Sequence, residues 1–145
     1  MKTSQEGIKA LCQEEGCVLR TYKCAAGVDT IGYGHTGPEV KPGMTITQAQ
    51  AEALLKLDLL RFERAVETAV APEVLTQGQF DALVSLCFNI GVGAFNKSTL
   101  VKKLRAGDLA GAAAQFTVWN RAGGVFNAAL LARRTRELLR FVGVV

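Results

Sequence analysis

The segment from residue 17 to residue 36 limits the fold more than any other part of this chain. It is rich in β-branched and aromatic residues, and Gly27, Gly32 and Gly34 interrupt it at close intervals. This combination predicts short strands joined by tight turns, because glycine weakens a strand and permits sharp bends. We therefore expect one small sheet near the N-terminus.

Helix-start patterns dominate the rest of the chain. A Thr followed three residues later by Glu or Gln is the capping-box pattern, and it occurs at Thr3–Glu6, Thr47–Gln50 and Thr76–Gln79. The first box predicts a helix to about Glu14. The second predicts a long helix through about Val70, and the third predicts a buried helix because its apolar residues cover most faces.

Spacing within these helices predicts their buried faces and their ends. In the long helix the apolar positions with helical spacing are Leu54, Leu57, Leu60 and Ala65. Pro72 is expected to end that region, since proline disfavours a helical residue before it. Gly91 and Gly93 are expected to break the buried helix.

Three further helices are predicted in the C-terminal half. They run from about Ser98 to Arg105, from Leu109 through Trp119 with Asp108 as the cap, and from Ala128 to about Val142, after a loop at 120–124. A small sheet followed by about six helices in all belongs to the α+β class. The single tryptophan, Trp119, lies at the end of an Ala-rich helix and is expected in the core.

The bulk composition restricts where such a protein works. The chain has 145 residues and no run of about 18 apolar ones, so we expect no membrane span and no stable membrane insertion. The first 16 residues carry charges throughout, which argues against a signal peptide or anchor. We therefore expect a cytoplasmic monomer whose four cysteines are free thiols.

The net charge of +4 suits a polyanionic partner. Nucleic acid, an anionic membrane surface and an acidic cell-wall polymer all fit this charge. No basic patch interleaved with aromatic residues supports nucleic acid, which we exclude as a partner.

Few residue patterns offer a route to bond cleavage. The only histidine, His35, stands without the pattern of a Ser–His–Asp triad and is interpreted as a structural hydrogen-bonding residue. No cluster of ligands predicts a metal, and no motif predicts a cofactor. A carboxylic acid acting on an acid-labile bond remains, and glycosidic bonds are the natural candidate.

The string from Glu15 to Thr36 resembles the active-site segment of the phage-type lysozymes, which are the endolysins of glycoside hydrolase family 24. Glu15, Cys24 and Thr30 fall at the family's spacing, and TIGYGHT stands intact at 30–36. The resemblance continues in order through KPGMTIT, LTQGQFDALVSLCFNIGVGAF, the Ser98–Thr99 pair, WNRAGG and the paired arginines that begin at Arg133.

The resemblance implies a lysozyme-like fold with a β-rich N-terminal lobe, 1–70, whose long helix joins it to a helical C-terminal lobe, 71–145. It also implies a muramidase that hydrolyses the β-1,4 bond between N-acetylmuramic acid and N-acetylglucosamine in peptidoglycan. Glu15 would be the general acid, and Cys24 with Thr30 would place the water.

Many family members have Asp where this chain has Cys24, and a thiol with a pKa of about 8.5 is a poor base at neutral pH. Asp29 would face away from Thr30 on a strand and is expected to be solvated.

Contacts with the substrate are carried over by position. The resemblance assigns them to Thr36, Phe88, Ser98, Asn120 and Arg133. The alternative for Phe88 is a plain core residue. The alternative for the arginines of the last helix is a solvated basic face.

Two other functions stay open at this point. With Glu15 as the one secure carboxylate, a lytic transglycosylase would use the substrate's own hydroxyl and form 1,6-anhydro products. A non-enzymatic, membrane-active protein would instead use LLARRTRELLRFVGVV as a basic amphipathic helix, although docking of that helix explains its pattern equally well. As an endolysin, the protein would depend on a separate pore-forming protein to reach the wall from the host cytoplasm.

Overall fold

The computed structural model describes residues 1–71 and 74–145. In chain order its elements are α1 Gln5–Glu15, β1 Val18–Lys23, β2 Asp29–Gly32, β3 His35–Thr36, α2 Gln48–Ala69, α3 Gln77–Ile90, α4 Val92–Lys97, α5 Thr99–Arg105, α6 Leu109–Gln115, a 3-10 turn Phe116–Val118, β4 Arg121–Ala122, β5 Val125–Phe126 and α7 Ala128–Phe141. These elements bear out the predicted mixture of a small sheet and many helices. Pro72, the expected end of the second helical region, lies outside the described residues.

The chain forms two compact units. One, here the sheet unit, is Ile8–Leu60, and the other, here the helical unit, combines Met1–Gly7 with Arg61–Val145. The division into lobes at residues 70 and 71 stays a prediction.

The sheet unit is built on three antiparallel strands in the order β1-β2-β3. Thr30 of β2 pairs with Tyr22 of β1 and with Thr36 of β3, while Ile31 pairs with His35. Ile31 is fully buried, and Leu11, Leu55 and Leu59 of the flanking helices complete the core. The predicted small sheet is therefore confirmed.

Two of the three capping boxes are confirmed. In the second, the amide of Gln50 donates to Thr47 Oγ1 at 3.1 Å, and the amide of Thr47 donates to Gln50 Oε1 at 2.9 Å. The third, Thr76 with Gln79, has the same reciprocal bonds. These bonds satisfy amides that a helix start leaves without partners.

The first capping box is wrong by one residue. The amide of Gly7 donates to Ser4 Oγ at 3.1 Å, so Ser4 caps α1 in place of Thr3. Thr3 instead gives its amide and its hydroxyl to the buried carboxylate of Glu63, at 2.7 and 2.6 Å. Because Glu63 is sixty residues away in sequence, the local pattern could not show that the Thr3 hydroxyl bonds to it and does not cap the helix.

The buried face of α2 also differs from the prediction. Leu57 and Leu60 are 62% and 45% exposed, whereas Leu55 and Leu59 are buried. Ala65 is buried as expected. Two sets of apolar residues with helical spacing overlap in this leucine-rich stretch, and the packing partners select one of them.

The helical unit has α3 at its centre, and the prediction of a buried helix is confirmed. Eight consecutive residues of α3, from Phe80 to Cys87, are buried. Gly91 ends this helix, as predicted. Gly93 does not interrupt a helix, because it lies inside the short helix α4. With α4 counted, the described residues form seven α-helices, against about six expected.

The predicted loop at 120–124 contains a β-strand. Residues 121–122 and 125–126 form a two-stranded antiparallel hairpin. Gly123 and Gly124 make its turn with φ of 57° and 78°, which only glycine adopts readily. The Gly-Gly pair between two short segments was the available indication of a hairpin.

Candidate active site

Glu15 is the last residue of α1 and is half-buried. Gly16 follows in the left-handed region with φ of 59°, and β1 begins two residues later, at Val18. Glycine adopts this conformation without the steric cost that a Cβ brings, so the chain turns sharply after the carboxylate. The segment therefore joins Glu15 directly to the strand that leads to Cys24.

Cys24 and Thr30 meet at one main-chain group in the hairpin between β1 and β2. The amide of Cys24 donates to the carbonyl oxygen of Val28 at 3.0 Å, and the hydroxyl of Thr30 donates to the same oxygen at 2.9 Å. The amide of Gly27 closes the turn on the carbonyl of Cys24 at 2.8 Å. Two of the predicted catalytic residues thus belong to one small hydrogen-bonded turn, Cys24 through its amide and Thr30 through its hydroxyl.

The surroundings of Cys24 favour its thiolate. Hydrogen bonds from the main chain at Val28 and at Ala26, and a smaller one from the Thr30 hydroxyl, lower the pKa of the Cys24 thiol below its ordinary value. Donors that point at the sulfur stabilise the charged form. This environment raises the population of thiolate above what an isolated cysteine has at neutral pH.

Asp29 lies on the strand next to Thr30 but does not share its surroundings. Its carboxylate forms an ion pair with Lys23 Nζ at 2.9 Å, across the β1–β2 pairing. Asp29 and Thr30 point to opposite faces of the strand, as expected for neighbours. The carboxylate is therefore paired across the strands, and not merely solvated.

Thr36 is exposed on β3, directly opposite the buried Thr30. Residues paired across antiparallel strands project from the same face of a sheet. The two hydroxyl-bearing residues therefore share one face, and only Thr36 is open to solvent.

His35 is confirmed as a structural residue. It is 9% exposed, and Nδ1 lies 2.9 Å from an oxygen of Asp58 while Nε2 lies 2.6 Å from Glu39 Oε1. Burial alone would lower the pKa of His35, but the hydrogen bonds to Glu39 and Asp58 raise it above its usual value. Both ring nitrogens are engaged, so the imidazole holds the end of the sheet to α2.

Tyr33, at the centre of TIGYGHT, is a structural residue that sequence reasoning did not single out. It is buried, and its hydroxyl accepts a hydrogen bond from Gln48 Nε2 at 2.5 Å. A hydrogen bond with the Cys12 thiol, together with burial, raises the pKa of Tyr33 to about 12. The phenol is therefore neutral and ties the motif to both flanking helices.

The predicted substrate contacts Phe88, Ser98 and Asn120 lie in the helical unit. Phe88 is half-buried and packs edge-to-face on Phe62, with ring centroids 5.1 Å apart. Ser98 is 4% exposed and caps α5, since its hydroxyl accepts from the amide of Val101 at 3.1 Å. Asn120 uses Nδ2 to donate to the carbonyl of Thr117 at 2.9 Å. The roles of all three in substrate binding stay predictions.

The arginines of α7 are not a uniform solvated face. Arg133 and Arg134 are buried, with 6% and 0% of their surface exposed, although Arg136 is exposed. Both buried arginines contact Glu137, which is itself 4% exposed. The buried side of α7 therefore carries an ion network, and the solvated-face interpretation is wrong for these two residues.

Trp119 is not a core residue. It lines an open cavity of about 630 Å³ in the helical unit, together with Asn89, Ile90, Val118, Arg121, Ala122, Leu130 and Arg134. Its lining combines an aromatic residue, aliphatic residues and two arginines, of which Arg134 has no exposed surface. Sequence reasoning missed it because the hairpin β4–β5, which supplies two lining residues, was assigned to a loop.

The described residues lack two kinds of feature. None of them forms a group of three or more His, Cys, Asp or Glu that could hold a metal ion. Nor does any helix in the described ranges have the length and apolar character needed to cross a membrane.

The four cysteines are free thiols, and burial raises the pKa of Cys87 to about 12.

Comparison with known proteins shows the class to which this fold and site belong. The chain is 43% identical over 143 residues to the endolysin of Bacillus phage PZA, covering 97% of this chain but 55% of that protein. It is 39% identical to the SAR-endolysin of Bacteriophage PS119, covering 85% of this chain and 73% of the relative. Its structure matches the crystal structure of a P22 lysozyme mutant with a TM-score of 0.91, at 42% identity and 99% coverage of both chains. The fold is therefore that of the lysozyme-like α+β proteins.

The chain belongs to the phage lysozyme family, whose sequence profile matches residues 12–137. This membership places it among the lysozyme-type glycosidases. The resemblance drawn from the motifs between Glu15 and the paired arginines is thereby confirmed.

Proposed function

We propose that this protein is an endolysin that hydrolyses the β-1,4 bond between N-acetylmuramic acid and N-acetylglucosamine in bacterial peptidoglycan. Membership of the phage lysozyme family supports the reaction class. One observation carries the mechanism. Cys24 and Thr30 meet at the carbonyl of Val28, in surroundings that favour the thiolate of Cys24.

Glu15 is the general acid in this mechanism. It gives its proton to the glycosidic oxygen as the bond to the sugar carbon breaks, so that the leaving sugar departs as an alcohol. Glu15 is half-buried at the end of α1, directly before a sharp glycine turn.

Cys24 is the base that activates water. Its thiolate accepts a proton from a water molecule, and the oxygen of that water forms the new bond to the sugar carbon on the face opposite the leaving group. Thr30 has a single hydroxyl hydrogen, which it donates to the carbonyl of Val28 at 2.9 Å. When the thiol ionises, rotation of this hydroxyl directs the hydrogen to the sulfur and stabilises the thiolate.

The first test is mass spectrometry of the fragments released from purified peptidoglycan. Reducing N-acetylmuramic acid ends, heavier by one water than anhydro ends, are expected. Products with 1,6-anhydro ends would establish a lytic transglycosylase and would make Cys24 a bystander. No released fragments would favour the non-enzymatic, membrane-active alternative.

Substitution of Glu15 tests the assigned acid. Glu15→Gln keeps the shape of the side chain but cannot donate a proton, so activity should fall by about a hundredfold or more. Glu6→Gln is the matched control, because Glu6 lies on the same helix and is exposed. Full activity in a folded Glu15→Gln protein would remove this residue from the mechanism.

We also propose that the protein reaches the wall through a lesion made by a separate pore-forming protein. The relatives carry two kinds of name, endolysin and SAR-endolysin, so the route needs its own test. Production of the chain alone in a bacterial host should cause no lysis until the membrane is permeabilised with chloroform. Spontaneous lysis by the chain alone would overturn this part of the proposal.

A further inference from the structure

We propose that Tyr22 is a further substrate contact of the candidate active site, where its ring stacks on the sugar next to the bond that is cleaved. The inference deepens the proposed function and rests on it for the ligand, a glycan strand of alternating N-acetylglucosamine and N-acetylmuramic acid. The placement of Tyr22 rests on the strand register and the burial pattern within the sheet unit.

Tyr22 stands at one end of a row of three paired residues that crosses the small sheet. Thr30 of β2 pairs with Tyr22 of β1 on one side and with Thr36 of β3 on the other. Directly opposite residues of antiparallel strands project from the same face, so the three side chains, here the hydroxyl row, share one face. With about 4.8 Å between neighbouring strands, the hydroxyl row spans about 9.6 Å, which is long enough to follow more than one sugar of a glycan.

The hydroxyl row lies on the face of the sheet that points away from the core of the sheet unit. Neighbouring residues of a strand point to opposite faces, and Ile31, next to Thr30, is fully buried in that core. The next pair along the strands, Lys23 with Asp29, forms its ion pair at 2.9 Å and alternates with the pair of Tyr22 and Thr30. The register therefore directs the hydroxyl row outward.

Tyr22 gives the hydroxyl row its large apolar surface. The residue is 39% exposed, whereas Thr30 at the centre of the row is 3% exposed. Val18 of the same strand and Val28 of the following turn are also exposed apolar residues. Apolar surface that is left open to solvent around a few polar groups is a common mark of a ligand site.

Tyr22 adjoins both residues that are proposed to place the water. It pairs with Thr30, and it precedes Cys24 by two positions, so Tyr22 and Cys24 point to the same side of an extended segment. The amide of Cys24 donates to the carbonyl of Val28 at 3.0 Å, which continues the pairing of β1 with β2. A sugar whose carbon receives water placed by Cys24 and Thr30 therefore lies next to Tyr22.

The side chain of tyrosine suits one part of a sugar in particular. A pyranose ring presents C–H groups on its face and hydroxyls at its rim, so a flat aromatic ring can cover the apolar face. Tyrosine also has few rotatable bonds and loses little conformational entropy on binding. Ligand sites combine such aromatic surface with a few polar groups, and Thr30 and Thr36 supply these here. Stacking requires the ring of Tyr22 and not its hydroxyl.

The chain has two tyrosines, Tyr22 and Tyr33, so the ring signals of isotope-labelled tyrosine can be followed one by one by NMR. The labelled Glu15→Gln variant is titrated with a purified tetrasaccharide of alternating N-acetylglucosamine and N-acetylmuramic acid that carries its stem peptides. Glu15→Gln is used because it is expected to leave this glycan uncut. A second sample that also carries Tyr22→Phe lacks one signal and so assigns both.

The Tyr22 signal should shift on addition of the glycan. The Tyr33 signal is the internal control and should stay in place, because Tyr33 is buried and its hydroxyl bonds to Gln48. Binding without a shift at Tyr22, or an equal shift at Tyr33, would overturn the proposal. A glycan that does not bind at all would overturn it too.

Substitutions separate the ring of Tyr22 from its hydroxyl. Tyr22→Ala should raise the KM for the same glycan by about tenfold and change kcat by less than about threefold. The conservative variant Tyr22→Phe keeps the ring and should restore KM to within about twofold of the wild type. Leu19→Ala is the matched control, because Leu19 is on the same strand, is 38% exposed and does not belong to the hydroxyl row.

The kinetic comparison has clear opposing outcomes. An unchanged KM in Tyr22→Ala, or an equal rise in Tyr22→Phe or Leu19→Ala, would overturn the stacking role. If Tyr22→Ala does not fold, Tyr22→Leu keeps the apolar bulk without the flat ring and should raise KM by about threefold. An unchanged KM in Tyr22→Leu would also contradict the proposal.

Failure of the proposed function would look different from failure of this inference. If the wild type releases no fragments while the Tyr22 signal still shifts, the glycan contact is supported and the cleavage reaction is overturned. If fragments are released but the Tyr22 signal does not respond to the glycan, the reaction is supported and the contact is overturned.

Discussion

The imidazole Nδ1 of His35 lies 2.9 Å from Oδ2 of Asp58, and this contact connects β3 to α2 inside the sheet unit. Together with Glu39, Asp58 raises the pKa of His35 above its unfolded value, against the opposing effect of burial. A raised pKa means that the folded state binds the proton more tightly, so the contact stabilises the fold most when His35 is charged.

The stability of the protein should therefore decrease as pH rises through the folded pKa of His35. The full contribution is present below about pH 6.5, the usual pKa of histidine, and is lost above the raised value. Asp58→Asn should cost about 1.5–3 kcal/mol at pH 5.5 and less at pH 9. Urea denaturation at both pH values measures this. Asp29→Asn, which removes the partly exposed Lys23 pair, should cost at most about 1 kcal/mol at either pH.

Cys24 should be the most readily alkylated of the characterised thiols, because its pKa is lowered while that of Cys87 is raised to about 12. The rate of reaction with iodoacetamide, followed by peptide mass spectrometry, should reach half its maximum at a lower pH than it does for a cysteine in an unfolded peptide. Thr30→Val removes one stabilising donor and should move this midpoint upward. A midpoint in the wild type no lower than that of the unfolded peptide would contradict the role of Cys24 as a base.

Substitutions at Cys24 should separate its chemistry from its place in the turn. Cys24→Asp offers the main-chain donors at Ala26 and Val28 a carboxylate, and activity should be preserved or raised. Cys24→Ala keeps the turn but has no base, and activity should fall by about tenfold to a hundredfold. Turbidity decrease of cell-wall suspensions measures both. Near-total loss of activity in a folded Cys24→Asp protein would show that a base is not what this position supplies.

Ser98→Ala should test whether Ser98 contacts substrate at all. Loss of the cap on α5 should cost about 1 kcal/mol of stability, as is typical for helix N-caps. Asp108→Ala removes the equivalent cap of α6 and is the matched control. If Ser98 is also a sugar contact, KM should rise in Ser98→Ala and not in Asp108→Ala. Equal KM values in the two variants would leave Ser98 with a structural role alone.

Tyr33→Phe should affect stability and leave catalysis intact. The change removes the buried hydroxyl that accepts from Gln48 and bonds with the Cys12 thiol, which should cost about 1 kcal/mol, the typical net value of a hydrogen bond. The kcat of the folded variant should stay within about twofold of the wild type. A large fall in kcat would mean that the phenol acts in the reaction and does not merely hold TIGYGHT in place.

Local patterns predicted the elements well where the cause of an element lies within a few residues. Two capping boxes, the cap at Asp108 and the glycine-interrupted sheet all depend on short-range hydrogen bonds and turn geometry. The order of motifs from Glu15 to the paired arginines was sufficient to indicate the family. Periodicity also predicted that α3 is buried, because apolar residues on most faces leave no alternative.

Predictions were wrong where a distant residue decides the outcome. Glu63, sixty residues away, takes the Thr3 hydroxyl that the local pattern assigned to a helix cap. The partners of α2 select Leu55 and Leu59 over Leu57 and Leu60, whose spacing is also helical. In both cases the choice is made by packing and long-range hydrogen bonds, which a window of sequence does not contain.

The sequence by itself indicated the family through the order of its motifs, and through that resemblance the candidate acid. Local periodicity and capping patterns predicted most of the elements. Only the tertiary structure decided which partners His35 has, that Tyr33 is a buried hydrogen-bonding residue, and that Arg133 and Arg134 are buried around Glu137. It also decided that Cys24 lies among donors that favour its thiolate. The physical reason is the same in each case: the charge state and role of a polar side chain depend on its burial and on partners that the fold brings from distant parts of the chain.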